Sequence, residues 1–209
     1  MSYSNLHRND SMHVTGLIIA AGLSSRMGFF KPLLKFNDKS FLINILEKLD
    51  KVCNRIVVVT GYKSSEISNH IKKNKKNIET KIDLVCNIDY ENGMFSSIKS
   101  GINEIKQSDW ILYHMIDQPN LPQNYYIEFL KQIEPNLNWV QPSYNKKNGH
   151  PILFNSKVSN EIKKASNESN LREISKSNRI RKKYWDCNYE EIFTDIDTPH
   201  DLNNILSQE

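Results

Sequence analysis

Between residues 20 and 31 the chain reads Ala-Ala-Gly-Leu-Ser-Ser-Arg-Met-Gly-Phe-Phe-Lys. Small residues at Ala20, Ala21 and Gly22 let a backbone come close to a ligand, and the exposed N–H groups of such a loop form an anion-binding concavity. Arg26 and Lys31 place two cations in the same segment. The run fits neither Gly-x-x-x-x-Gly-Lys-[Ser/Thr] nor Gly-x-Gly-x-x-Gly. Read by residue type alone, it is a cradle for a polyphosphate; the competing reading is a glycine-containing connector with two surface cations. Other residues carry similar double readings. Asp117, before Gln118-Pro119, is either a functional carboxylate at a strand end or a turn cap. Asp197 is either a functional carboxylate or a helix cap, although Thr198 already offers that cap. His150 stands in Gly149-His150-Pro151, where a lone histidine is usually a plain turn residue, and Gly93, Met94 and Ser97 could be an ordinary helix start with Ser96 as its cap.

The elements that would position these residues alternate. Val14 to Ala20 is a compact apolar run and reads as a buried first strand, with the loop at its end. Ser40 then precedes Phe41, Leu42, Ile45, Leu46 and Leu49, a helical spacing with serine as N-cap. Arg55–Thr60 is a second buried strand, 65–73 a helix and Ile82–Cys86 a third strand. A loop over 87–95 leads to a helix over 96–106, then a buried strand over 109–116 ends at Asp117. A helix over 125–133 follows, with short strands at 139–140 and 152–154. Helical stretches near 156–165 and 170–177, a late strand over 192–195 and a last helix capped by Thr198, with Pro199 first and Asp201 third, complete the reading. Strands alternating with helices at these lengths predict an α/β fold with a mostly parallel central sheet and right-handed crossovers. Strand-end loops are where such sheets bind ligands. No linker, repeat or composition shift divides the chain, so residues 14–209 are expected to form a single domain behind a polar extension over 1–13. The role of that extension stays open between a tag, a disordered arm and a partner contact.

With 209 residues and 38% hydrophobic content, the chain can hide roughly 70% of its unfolded surface and is not expected to be disordered. Its net charge of +4 suits a small anionic ligand and falls short of a nucleic-acid-binding surface. The clusters at Lys72-Lys73, Lys75-Lys76, Arg179 and 181–183 read as solvated faces. Cys53, Cys86 and Cys187 are odd in number and lack a Cys-x-x-Cys, so reduced and mostly buried thiols are expected. The polar first residues lack the apolar core of a signal peptide, and no apolar run has the length of a bilayer span. A cytoplasmic location without membrane contact follows as the expectation.

The string Ala-Ala-Gly-x-Ser-Ser-Arg-Met-Gly-x-x-Lys closely resembles the opening signature of the MobA-like NTP transferase family, and most of all its branch that cytidylylates molybdenum cofactor. Further matches follow in order: VVVTGY at 57–62, N-x-D-Y-x-x-G-M-x-x-S at 87–97, Asp117-Gln118-Pro119, GHPILF at 149–154 and DIDTPHDL at 195–202. The resemblance implies a three-layer, Rossmann-like nucleotidyltransferase fold. It makes Ala20, Ala21, Gly22, Ser25, Arg26, Lys31, Gly93 and Ser97 nucleotide-binding, and Arg26, Lys31 and Asp117 catalytic. It makes Asp117 and Asp197 ligands of Mg²⁺, an ion content with one or two carboxylates plus phosphates and water; Asp195 could assist. It puts Gly149, His150 and Pro151 beside the acceptor, without a proton-transfer role for His150. The Ala20-Ala21-Gly22 form, where the guanosine-using branch has two glycines, implies CTP.

The implied reaction moves CMP from CTP to the terminal phosphate of a molybdopterin-type cofactor and releases pyrophosphate, with a recipient molybdoenzyme as a further partner. Two alternatives stand beside it: a sugar- or alditol-phosphate nucleotidyltransferase, and a non-catalytic carrier of molybdenum cofactor. The GHPILF and DIDTP segments speak against the first; retention of Arg26, Lys31, Asp117 and Asp197 speaks against the second.

Overall fold

The computed structural model describes residues 12–24 and 27–207. Its first strand, β1 (Val14–Ala20), is buried at every position. A two-residue hairpin follows, β2 (Lys35–Phe36) and β3 (Lys39–Ser40), turning on Asn37 and Asp38 with φ of 48° and 61°. Positive φ at both central residues matches the right-handed twist of the flanking strands, and Asn and Asp tolerate it. Then α1 (Phe41–Asp50) opens on Ser40, whose Oγ accepts from the N–H of Ile43 at 3.2 Å. The chain continues through β4 (Arg55–Thr60), α2 (Ser64–Asn74), β5 (Lys81–Cys86), α3 (Met94–Glu104), β6 (Trp110–Met115) and α4 (Gln123–Leu130). It finishes with β7 (Trp139–Tyr144), β8 (Lys147–Asn148), β9 (Ile152–Asn155), α5 (Ser156–Lys164), α6 (Leu171–Ser175), β10 (Lys182–Asp186) and α7 (Pro199–Leu206).

The main sheet runs β10-β7-β9-β6-β1-β4-β5, with β8 added to β7 as a hairpin. The pairs β6-β1, β1-β4, β4-β5 and β10-β7 are parallel; β9 is antiparallel to both its neighbours. Leu17 lies opposite Val57 on one side and Tyr113 on the other. Because strand side chains alternate, the central strands feed two cores. Ile18, Ile56, Val58 and Leu112 meet α1, α2 and α4 on one face. Leu17, Val57, Val59, Ile111 and Tyr113 meet α3 and α5 on the other. The result is the three-layer α/β architecture expected. Each fully buried Leu or Ile contributes about 1.5–3 kcal/mol relative to exposure. At Gly101 of α3 a Cβ would sit 2.4 Å from Leu17 Cδ1 and 2.7 Å from Val59 Cγ2, so Gly101→Ala would push the helix off the sheet.

Several elements differ from the sequence reading, which also lacked β2, β3 and β8. Residues 190–193 form a 3-10 turn, not a strand; the last strand is β10, in a segment whose lysines read as a solvated face. Its burial alternates only partly, as befits an edge strand with one neighbour, so an apolar-run criterion passes over it. Helix α3 begins at Met94 and is capped by Gly93, whose φ of 95° and ψ of 172° only glycine adopts readily; Ser96 and Ser97 are thus inside the helix. Ser40 and Thr198 do cap their helices, Thr198 in a reciprocal capping box with Asp201. None of the three cysteines forms a disulfide; Cys53 and Cys187 are buried and Cys86 is exposed. Of the extension, His13 pairs with Asp109, accepting its N–H at 2.9 Å and donating its own N–H to the carboxylate at 2.7 Å; residues 1–11 lie outside the described residues. Among the described residues no helix is long and apolar enough to cross a membrane.

Candidate nucleotide site

After β1 the chain moves to β4 and β5 on one side of it, then returns to place β6 on the other. The carboxyl ends of β1 and β6 therefore flank a topological switch point, where connections diverge and leave a crevice. A cavity of about 380 Å³ opens there, within the range of small-molecule sites.

One wall is the loop after β1. Ala20 and Ala21 lie against the cavity but are 1% exposed, so their methyls shape the wall from behind while Gly22 and the half-exposed Leu23 face the opening. Ser24, with φ of 56°, turns the loop; its carbonyl accepts from Met27 at 3.1 Å and its hydroxyl from the Lys31 N–H at 3.2 Å. Lys31 is 7% exposed and ion-pairs with Asp197. Ser25 and Arg26, both predicted contacts, lie outside the described residues.

The opposite wall is Met115, Ile116 and Asp117 at the end of β6, with Asp197 beside them. Asp117 Oδ1 is buried without a hydrogen-bond partner. Burial pushes its carboxyl up to about 6; the negative charges of Asp195 and Asp197 add to the rise and Lys31 opposes it. A buried carboxylate oxygen without a partner is costly unless a cation reaches it. With Asp197 in the same cavity, the donors are all oxygen, as a hard divalent ion requires. No group of three or more His, Cys, Asp or Glu gathers as a metal centre among the described residues. The arrangement fits an ion that takes its remaining ligands from phosphates and water. Asp195 is exposed and not in the cavity wall; its Oδ1 accepts from Gln118 Nε2 at 2.8 Å.

The third wall is the segment between β5 and α3. Gly93, Met94 and Ser97 all line the cavity. Two residues here, Asn87 and Tyr90, belong to the N-x-D-Y motif but had no role assigned from the sequence. Buried Asn87 donates to Ser96 Oγ at 2.9 Å and Ser97 Oγ at 3.0 Å, and accepts from the Asp89 N–H at 3.1 Å, so one amide fixes both the turn and the helix start. Tyr90 also lines the cavity; a Cβ on Gly61 would sit 2.7 Å from its Cβ, which explains the glycine closing β4. Only the fold reveals that an asparagine is buried or that a tyrosine leans on a glycine far upstream.

Gly149, His150 and Pro151 are not in the cavity wall. They approach it through Tyr113, whose ring meets His150 edge-on at 6.0 Å and whose hydroxyl donates to Met94 Sδ at 3.2 Å. Burial lowers the His150 imidazole to about 4, so the ring is neutral near pH 7, and its buried Nδ1 has no hydrogen-bond partner. Gly149 is packed so closely that a Cβ would lie 2.6 Å from Ile192 Cγ1.

Residues 16–183 match the family described as MobA-like NTP transferase domain. The chain is 29% identical over 190 residues to the molybdenum cofactor cytidylyltransferase of Escherichia coli K12, covering 89% of this chain and 92% of that protein. It is 26% identical over 151 residues to a probable molybdenum cofactor guanylyltransferase of Bacillus cereus strain Q1, covering 70% of each. Among solved structures, a Mycobacterium tuberculosis H37Rv protein in complex with manganese superposes with a TM-score of 0.70 at 18% identity, covering 94% of this chain and 100% of that one.

Proposed function

The chain belongs to the MobA-like NTP transferase family and is a nucleotidyltransferase, and from that premise we propose that it transfers CMP from CTP to the terminal phosphate of a molybdopterin-type cofactor. The observation that carries this reading is the charge set in the switch-point cavity: the Lys31–Asp197 pair facing a buried Asp117 oxygen that has no partner. A cation on the carboxylates and an amine beside them complement a triphosphate. The choice of CTP rests on Ala20-Ala21-Gly22 and on the cytidylyltransferase relative, and the acceptor on the relatives' printed activities and the Gly149-His150-Pro151 turn near the cavity. Residues 14–209 act as one catalytic unit in this reading. It places the enzyme in the cytoplasm, handing its product to a recipient molybdoenzyme.

The acceptor's phosphate oxygen attacks the α-phosphorus of CTP in line; the bond to the bridging oxygen breaks, and pyrophosphate leaves with that electron pair. A phosphate monoester is already anionic near neutral pH, so no general base is needed and positioning supplies much of the rate. Gly22 lets the loop backbone approach the phosphates. Lys31, released from part of its pairing with Asp197, stabilises charge on the departing pyrophosphate, and Arg26 does the same from the same loop. Ser97 and Gly93 hold the nucleoside side, and neutral His150 orients the acceptor through hydrogen bonding. Asp117 and Asp197 would hold Mg²⁺, which supplies charge neutralisation and polarisation of the α-phosphate when bound.

Pyrophosphate release measured with each of the four NTPs and purified molybdopterin-type cofactor tests the reading, with the dinucleotide product weighed by mass spectrometry. Release only with CTP plus cofactor is expected. Equal or greater release with a sugar or alditol phosphate would move the chain to the other acceptor class, and cofactor binding without release from any NTP would make it a carrier.

A further inference from the structure

We propose that Gln118 is a positioning residue that engages the Asp195 carboxylate, so that Asp197, two residues later, is the one of the two acids that lines the cavity and faces a cation; this rests on the nucleotidyltransferase reading above. The sequence Asp195-Ile196-Asp197 offers two acids on one face of an extended segment, yet only Asp197 lines the cavity and meets Lys31. Gln118 is 1% exposed. Its amide nitrogen spends both protons on this segment, one on the Ile192 carbonyl at 3.1 Å and one on Asp195 Oδ1 at 2.8 Å. The opposite amide orientation would face its oxygen toward two acceptors, so the assignment is fixed by chemistry. The segment joins no sheet ladder. It is held by these two bonds, by the Ile196 N–H donating to the Asp117 carbonyl at 2.9 Å, by the Asp197 N–H donating to Asp201 Oδ2 at 3.1 Å, by the Lys31–Asp197 ion pair, and by the Ile196 side chain among Met27, Phe36 and Phe41. Gln118 thus fixes the Ile192–Asp195 end of the segment beside Asp117, while Asp201 and Lys31 hold its Asp197 end.

Groups that orient metal ligands typically cost 10- to 100-fold in metal affinity when removed. Gln118→Met keeps the shape and removes the donors. It should weaken Mn²⁺ binding, read as loss of the free-ion signal by electron paramagnetic resonance without nucleotide, by about 10- to 100-fold. In kinetics the loss should fall on the apparent constant for Mg²⁺, with kcat at saturating Mg²⁺ changed less. Circular dichroism should be unchanged. The pair Gln118→Glu with Asp195→Asn exchanges donor and acceptor toward residue 195 while leaving the Ile192 carbonyl without its donor; it should recover part of the lost affinity, so that Gln118→Glu alone binds Mn²⁺ more weakly than the pair. Wild-type Mn²⁺ affinity in Gln118→Met overturns the proposal, as does a folded exchange pair with no recovery over Gln118→Glu. If Gln118→Met does not fold, the comparison of the pair with Gln118→Glu decides alone. Because Mn²⁺ binding is read without NTP or acceptor, wild-type protein that binds the ion but transfers nothing would sink the reaction and leave this inference standing.

Discussion

On one side of β9, the strands β6, β1, β4 and β5 run parallel and are bound into the sheet along most of their length; on the other side, β7 and β10 lie beyond an antiparallel strand, and the chain after β10 reaches α7 through a 3-10 turn and an irregular segment. Both regions supply the site, by different means. The parallel region presents Ala20-Ala21-Gly22 and Asp117 simply by ending strands side by side. The other region delivers Asp197 by separate tethers: the Gln118 amide, the Ile196 N–H, the Ile196 side chain, the Asp197 N–H on Asp201 and the Lys31 ion pair. A ladder distributes the cost of a local change over many bonds, whereas a tethered segment concentrates it on a few. The contrast teaches that functional positions in the parallel region should fail by losing chemistry, and those in the tethered region by losing placement as well.

The sharpest test sets Asp117 against Asp197. Asp117→Ala should lower kcat by about three orders of magnitude or more, the cost expected of the cation ligand proposed for it, with an unchanged circular dichroism spectrum. Asp197→Asn should cost less, about 10- to 100-fold, most of it recoverable at high Mg²⁺. Near-normal Mg²⁺-dependent turnover in Asp117→Ala would break the comparison, and a larger loss in Asp197→Asn would reverse it.

Next in size, Lys31→Ala and Arg26→Ala should each reduce kcat/KM by about two to three orders of magnitude, the range for one lost charge-stabilising donor. If either variant unfolds instead, its residue is structural and the cradle reading of the loop falls.

A smaller effect concerns base choice. One methyl is worth about 1–3 kcal/mol of discrimination, or 10- to 200-fold. Preference for CTP over GTP should lie in that range, and Ala21→Gly should narrow it without reversing it. Because Ala21 is 1% exposed, the substitution acts by letting the wall give, not by removing a contact with the base. The ratio of kcat/KM for the two nucleotides checks this, and a wild-type preference for GTP would overturn the branch.

The smallest expected effect separates the two regions by pH. Burial keeps His150 neutral down to about 4 against an ordinary value of 6.5. Between those values the unfolded chain binds more protons than the native one, so stability falls as pH drops through that window. His150→Asn should flatten the acid fall in Tm by a few degrees, about 2–4 °C for each kcal/mol in a chain of this size. Superimposable curves for variant and wild type between pH 6.5 and 4 would mean that the ring is hydrated and the tethered region looser than described.

The parallel region was legible because its strands are continuous apolar runs and its helices are amphipathic, and both patterns follow from burial alone. The ordered motifs also announced the family and the residues around Gly22, Lys31, Gly93, Asp117 and Asp197. Strand β10 was not legible, since an edge strand rich in lysine has the composition of a solvated face. Nor were the buried amides of Asn87 and Gln118, because a polar side chain declares nothing about its burial until the fold supplies partners. Sequence by itself determined the α/β order, the caps at Ser40 and Thr198 and the chemistry-bearing residue types, all of which depend on local spacing. Tertiary structure alone decided that Asp197 and not Asp195 faces Lys31, that Asp117 keeps an unpartnered oxygen and that His150 stays neutral. Those outcomes depend on which groups meet across the fold, 166 residues apart for Lys31 and Asp197, and on how much water reaches them; neither quantity is written in local spacing.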